Sequence, residues 1–510
     1  MLPGLLTDPL PLVVIGIAVA VLAWDVSMAG WIAARREAPR LFTQLTVVCG
    51  LLVVPVLVIN VASGTESGAR TISGITWLVP AVTIAFALQV LYAVLGRLIS
   101  LVVGLPILLY DLLLAATAVG DYLVTQRGGA PTYLQALLAA RDAIVGMGVG
   151  RAALVSPLTA LVPMIAPAYP ARWRLSGAVR AVLVLAATAL TTLLIIEWPR
   201  GIGAVRSYER AYTEPMQARP SGDFVLGVRL YPTLDGMPPA RAVRNDAAIV
   251  EAFTPDVVLL VLDDDGTRSA ALDSLARVLG PLRDDSVQIA VALRLDRTPP
   301  AADDADRQLS IERVLQRLEP DVLFPALPDP VPTWIGSTAP SAAWWQRLLR
   351  RSSSTVQRVR PRTVLGWAAA RLDATDSATY AWARQPSNGV ELVGAMSFPS
   401  FSGLPAVDAR LRAFERWHDA AAQRGLPTMP HWLVNVGGLP RAHGDAAQVA
   451  AIRHALAWGS RRPWIGAAIV GEPADYDGWL GLRASNGRPR AALAAIGAAA
   501  RRMKEVRAGN

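Results

Sequence analysis

Thr254-Pro255-Asp256-Val257-Val258-Leu259-Leu260-Val261-Leu262-Asp263-Asp264-Asp265 decides how the second half of this chain is read. Its apolar run has no polar alternation, and it is closed by a Pro-Asp pair before and by aspartates after. A strand with one wet face alternates, so a run without alternation has both faces covered, as in a parallel sheet wrapped by helices. Working outward, strand-like runs recur at 224–231, 256–262, 287–293, 321–325, 363–368, 390–397, 431–436 and 464–470. Between and after them lie helix-length segments at 242–253, 270–282, 304–318, 342–359, 376–383, 407–424, 445–458 and 490–504. Eight strand-helix units within 223–510 match a (β/α)8 TIM barrel, whose usual size is about 250 residues. A doubly wound open sheet is the competing architecture, but no glycine-rich dinucleotide loop follows the first strand.

The first two hundred residues obey another rule. The chain has 510 residues, 53% of them hydrophobic, and a mean hydropathy of +0.37, with the apolar surplus concentrated before Pro199. A bilayer core of about 30 Å needs ~20 apolar helical residues. Segments 10–33, 41–62, 75–95, 99–124, 152–170 and 178–198 meet that length. The expected fold is therefore an N-terminal α-helical transmembrane bundle of about six helices (1–200), a linker rich in charge, Pro and Gly (201–222), and a C-terminal barrel (223–510). Pro157, Pro163 and Pro167 mark the fifth segment as kinked or re-entrant. Residues 133–149, with Arg141 and Asp142 amid apolar neighbours, read as an interfacial amphipathic helix.

Loop charge sets the expected orientation. Arg35, Arg36 and Arg40 follow the first span, Arg97 follows the third, and Arg172, Arg174 and Arg180 lie between the fifth and sixth. Positive loops stay cytoplasmic, so both termini and the barrel are expected outside, as in a bacterial inner-membrane protein with a periplasmic domain. The net charge of +9 is scattered arginine rather than a lysine-rich tail, which argues against a nucleic-acid partner. Asp25 and Asp111 are the ionisable residues that stand out inside spans, and in the absence of an acidic pair or repeat in the sequence they read as packed carboxylates. Cys49, the single cysteine, leaves no internal disulfide. The four histidines show no close ligand pair, so no metal and no cofactor are expected.

A barrel carries its chemistry at the C-terminal ends of its strands. The polar residues there are Arg229 and Tyr231, then Asp263, Asp264 and Asp265, then Arg294 and Asp296, followed by Asp329, Trp367, Ser397, Asn435 and Glu472. Trp367 and Trp479 are the tryptophans placed near strand ends, where an aromatic face can stack on a sugar ring.

Three phrases carry a family likeness. Gly227-Val228-Arg229-Leu230-Tyr231-Pro232, Met396-Ser397-Phe398-Pro399-Ser400-Phe401 and Gly481-Leu482-Arg483-Ala484-Ser485-Asn486-Gly487-Arg488-Pro489-Arg490 resemble the first-strand, sixth-strand and closing phrases of the (β/α)8 glycoside hydrolases of the large retaining clan, in particular β-1,3-glucanase-like members. The resemblance covers about 224–495. It implies a glutamate acid after the fourth strand and a glutamate nucleophile after the seventh, about 5 Å apart. Here Leu327-Pro328-Asp329-Pro330 puts Asp329 at the acid's place and Val434-Asn435-Val436-Gly437-Gly438 puts Asn435 at the nucleophile's.

An amide cannot attack an anomeric carbon. The leading expectation is thus a membrane-anchored, extracytoplasmic pseudoenzyme that binds glycan or a partner protein, with Arg229, Tyr231, Asp263, Asp296, Trp367, Ser397 and Trp479 as the substrate-binding set. Two alternatives stand beside it. One is an active hydrolase or transglycosylase using Asp329 with Glu472, and the other is an accessory subunit of a larger membrane complex.

Overall fold

The computed structural model describes residues 9–34, 38–63, 77–127, 130–149, 162–165, 176–213, 216–217, 219, 222–230, 239–263, 265–295, 305–328, 340–370, 372–397, 404–438, 440–474, 481–484 and 487–508. The chain divides into two compact units, Met1–Ser207 with Phe401–Pro405, and Tyr208–Ser400 with Ala406–Asn510.

The first unit is helical: α1 (Pro9–Ala33), α2 (Arg40–Ser63), α3 (Leu78–Leu95), α4 (Leu101–Arg127), α5 (Thr132–Val149) and the start of α6 (Ser176–Thr213). Three stretches, Leu78–Leu95, Leu101–Leu123 and Gly177–Gly203, are long and apolar enough to cross a membrane, and Val19–Ala33 and Arg40–Val56 are shorter apolar helices. Among the described residues, every large exposed hydrophobic side chain except Val278 and Leu309 belongs to this unit, including Leu51, Leu95, Leu101, Val102 and Leu185. A water-facing bundle shows the opposite pattern.

The first part of the expected linker 201–222 is helical, because α6 runs on through Pro199 to Thr213. Its Gly201 lies so close to the Ala136 carbonyl of α5 that a side chain there would collide, so the glycine permits close helix approach rather than ending the helix. Helix α5 packs in this unit through Ala136, Leu137, Leu138, Ala140 and Arg141, which are all buried. Of the expected fifth span, only 162–165 are described, and they lie in neither helix nor strand.

The second unit is a closed parallel barrel in the order β1 to β8. The strands are β1 (Val225–Leu230), β2 (Val257–Leu262), β3 (Gln288–Arg294), β4 (Val322–Leu327), β5 (Val364–Ala369), β6 (Leu392–Ser397), β7 (His431–Val436) and β8 (Ile465–Val470). Its helices are α7 (Pro239–Phe253), α8 (Ser269–Asp284), α9 (Ala305–Arg317), α10 (Ala342–Val359), α11 (Ala374–Ala383), α12 (Leu404–Gln423), α13 (Pro440–Ser460) and α14 (Ala491–Ala508). Every residue of β2 is buried, as its unbroken apolar run requires.

A Pro-Asp-Val phrase starts both β2 and β4. The Asp256 carboxylate accepts from Leu226 N at 3.1 Å and the Asp321 carboxylate from Ile289 N at 2.8 Å, so each aspartate pins the preceding strand at its entry. The residues ahead of the prolines, Thr254 and Glu319, turn the chain with φ of 44° and 43°, a left-handed conformation costly for side chains with a Cβ.

Outside the wall, His431 of β7 is buried among Tyr380, Phe414, His418 and Trp464. Its Nδ1 lies 2.7 Å from the Met429 carbonyl, which can only accept, so Nδ1 carries the proton and Nε2 accepts from Tyr380 Oη at 3.0 Å. Burial, with Arg384 nearby, pushes the imidazole down to about 3, and burial raises the Tyr380 phenol to about 12. A histidine with a depressed folded pKa takes up its proton more readily once unfolded, so its contribution is complete above the ordinary value near 6.5 and is lost as pH falls toward 3. Between pH 7 and 5 the loss is on the order of 2 kcal/mol. Thermal melting of the full-length protein in detergent is expected to show Tm falling over that interval and the fall flattened in His431→Gln. An equal fall in both proteins would count against the assignment.

Candidate functional site

The bore is identified by a contact across it. Phe324 of β4 and Trp432 of β7 sit on non-adjacent strands, yet their ring centroids are 6.3 Å apart, so both rings point inward. Gly366 of β5 leaves room for them, since a Cβ there would come within 2.7 Å of the Phe324 ring. Gly394 of β6 does the same for Val434.

Pairing register carries this parity around the barrel. Trp432 pairs with Ala467, Ala467 with Val225, and Ile469 with Gly227. Two residues beyond Gly227, Arg229 therefore faces the bore at the end of β1, opposite Leu259 in register. On β7 an extra residue enters the ladder: Leu433 pairs with Ala395, but Asn435, not Val434, pairs with Met396. That bulge turns Asn435 to the bore side, where strict alternation from Trp432 would have turned it to the helices.

Asn435 and Arg229 are fully buried. Neither Oδ1 nor Nδ2 of Asn435 has a hydrogen-bond partner, a costly condition for a buried amide. Among the described residues, these two are the members of the sequence-derived set that strand parity turns into the bore.

The other residues fall elsewhere. Trp367 is fully buried on the outer side of β5, its ring edge-on to Trp345 of α10 at 6.1 Å, so it packs behind the wall instead of lining a cleft. The physical reason is volume, because Gly366 and Ala368 hold the inward positions facing Phe324. Ser397 ends β6 and alternates with Met396 away from the bore; its Oγ is buried without a partner. Asp263 accepts from Gly266 N at 2.8 Å and so closes the short turn Asp265–Thr267. Glu472 follows β8 and is only 3% exposed, with its backbone carbonyl accepting from Leu482 N at 2.9 Å. Tyr231, Asp264, Asp296, Asp329 and Trp479 lie outside the described residues.

Two arginines shape the rim and were missed in the sequence. Arg410 of α12 donates through Nε to the Met396 carbonyl at 3.2 Å and through Nη2 to that of Ala370. Arg307 of α9 donates to the carbonyls of Pro325 at 3.0 Å and Arg294 at 3.1 Å. Burial lowers Arg410 to about 10, and Asp376 opposes that effect. Both satisfy carbonyls at strand ends that the ladder leaves over. Only their helical spacing after β6 and β3 offered a signal. Among the described residues no group of three or more His, Cys, Asp or Glu is arranged to hold a metal ion.

No protein family's sequence model matches the chain, and no curated protein matches it. Solved structures similar to it are glycoside hydrolases. An exo-β-1,4-mannosidase from Opitutaceae bacterium strain TAV5 is 13% identical over 55% of this chain and 60% of its own, with a TM-score of 0.38. The endo-glycoceramidase II from Rhodococcus sp. is 11% identical over 54% and 78%, at 0.37. A GH113 β-1,4-mannanase is 10% identical over 55% and 98%, at 0.38. The chain spans less than two thirds of that mannosidase, and likeness this distant assigns neither a reaction nor a substrate.

An unpartnered buried amide predicts its own replacement. Asn435→Leu, similar in volume and free of polar atoms, is expected to raise the stability of the unliganded full-length protein by about 1–2 kcal/mol. Chemical denaturation checks this, and a loss of stability would show that Asn435 has a structural partner.

Proposed function

We propose that this is a bilayer-anchored, extracytoplasmic barrel that binds glycan through its C-terminal rim and does not perform standard retaining hydrolysis. The observation that carries the reading is Asn435, a buried bore-facing amide whose two polar atoms have no hydrogen-bond partner among the described residues; Arg229 faces the same bore from the end of β1. An amide offers a donor and an acceptor to a sugar hydroxyl, and a guanidinium adds donors. Neither supplies the carboxylate that a retaining mechanism needs.

Titration calorimetry on the full-length protein in detergent is the test, with β-glucan and β-mannan oligosaccharides. Saturable binding to one of them, weakened at least tenfold by Asn435→Leu, is expected, together with no release of reducing sugar. Absence of saturable binding to every oligosaccharide sinks the glycan reading. Turnover abolished by Asp329→Asn or Glu472→Gln replaces it with the enzyme.

The anchoring is supported by the apolar exterior of the first unit and by the arginines after α1 and α3. With those loops cytoplasmic, the barrel lies on the far side of a bacterial inner membrane. In cells, a cysteine placed at Val278, exposed on α8, is expected to react with a membrane-impermeant maleimide added outside once the outer membrane is opened. Labelling only after inner-membrane lysis would reverse the orientation.

A further inference from the structure

Inside the first unit, the stretch Val162-Pro163-Met164-Ile165 is held by two helices far away in sequence. Asp111 of α4 accepts from Met164 N at 2.9 Å, and Asp25 of α1 accepts from Ile165 N at 2.9 Å. Tyr110, next to Asp111, donates to the Val162 carbonyl at 3.2 Å. Pro163 has no N–H to satisfy. The polar groups of a non-helical stretch among apolar helices are thus met by side chains, which such surroundings demand.

Two carboxylates are more than this task requires. Asp25 and Asp111 are both fully buried, and the second oxygen of each, Oδ2, is buried with no hydrogen-bond partner. Among the described residues no ion pair is formed by either, and the Oδ2 atoms stay without a partner. Among the described residues, the titratable groups beside the two are Tyr110 of α4 and Cys49 of α2, neither of them a cation. Because Met164 and Ile165 are consecutive, their amide nitrogens are less than ~4 Å apart, and the two accepting oxygens are no more than about 10 Å apart. Two uncompensated negative charges at that separation, out of water, cannot both persist.

We propose that Asp25 and Asp111 form a proton-binding site in which one exchangeable proton occupies the free Oδ2 of the pair while both Oδ1 atoms keep hold of the 162–165 stretch. A proton needs one lone pair, which each Oδ2 supplies. A hard metal cation wants a shell of several oxygens, and no other carboxylate joins these two among the described residues. A charged carboxylate accepts from N–H more strongly than a neutral one, so proton uptake from solvent loosens the grip on Met164 and Ile165 and release tightens it. The site thereby links proton occupancy to the packing of a non-helical stretch against α1 and α4. It is independent of what the barrel binds.

Infrared difference spectroscopy of the full-length protein in lipid vesicles tests this, with pH stepped through the accessible range. A protonated-carboxyl stretching band is expected that disappears as pH rises and is lost or displaced in Asp25→Asn and in Asp111→Asn. Each asparagine can still accept from the same amide through its oxygen, so both variants retain the clamp, and either one alone suffices if the other fails to fold. A band that never titrates marks a purely structural pair and overturns the proposal, as does a titrating band unchanged in both variants. Loss of the band on adding sodium at constant pH would assign the site to a metal cation and overturn the proton assignment.

Discussion

The rest of the barrel depends on filling its bore. A closed ring of eight strands leaves an interior wide enough for side chains but not for water, so large and small residues must be matched across it. Here Phe324 and Trp432 supply the volume, and Gly366 and Gly394 give way on the strands between. This matching fixes which side of each strand faces in. Val225, Gly227, Ala467 and Ile469 continue the small-to-medium lining on the far wall, and among the described residues Arg229 and Asn435 are polar groups that face the bore at strand ends.

The same constraint explains what could be read in the sequence and what could not. All eight strands were legible because each is buried on both faces and therefore shows as an apolar run between turn residues. His431–Val436 agrees to the residue, and the others agree to within two at their ends. Which way a residue points was not legible. Trp367 stands at a strand end and reads as a cleft aromatic, yet parity sends it outward against Trp345 because glycine and alanine hold the inward positions. Asn435 reads correctly as an end-of-strand residue, but its inward turn depends on a bulge between Leu433 and Val436 that no local residue type announces.

In the first unit the sequence marked the apolar segments and the two aspartates but not the link between them. Asp25 reaches Ile165 across 140 positions and Asp111 reaches Met164 across 53, so neither contact leaves a periodic trace. Gly201 shows the converse error. A Pro-Arg-Gly phrase is a good stop signal by local propensity, yet the glycine is needed inside the helix, where α6 presses on the Ala136 backbone. Tertiary approach overrides propensity at such positions.

Asn435 and the aspartate pair share one physical logic despite lying in separate units. Each is a buried polar group left with a hydrogen-bonding atom that has no partner among the described residues. Folding alone does not favour that arrangement, because apolar residues of similar size would fill the bore, and a single asparagine or serine would cap an amide without a charge. The energetic penalty is retained in both places, and in both the unused atom suits a small exchangeable species: a hydroxyl for the amide at the rim and a proton for the carboxylates between α1 and α4. The surrounding structure holds these atoms in position by other means. The β7 bulge aims Asn435, and the Oδ1 contacts to Met164 and Ile165 aim the aspartates, so the free atom of each is oriented before anything arrives.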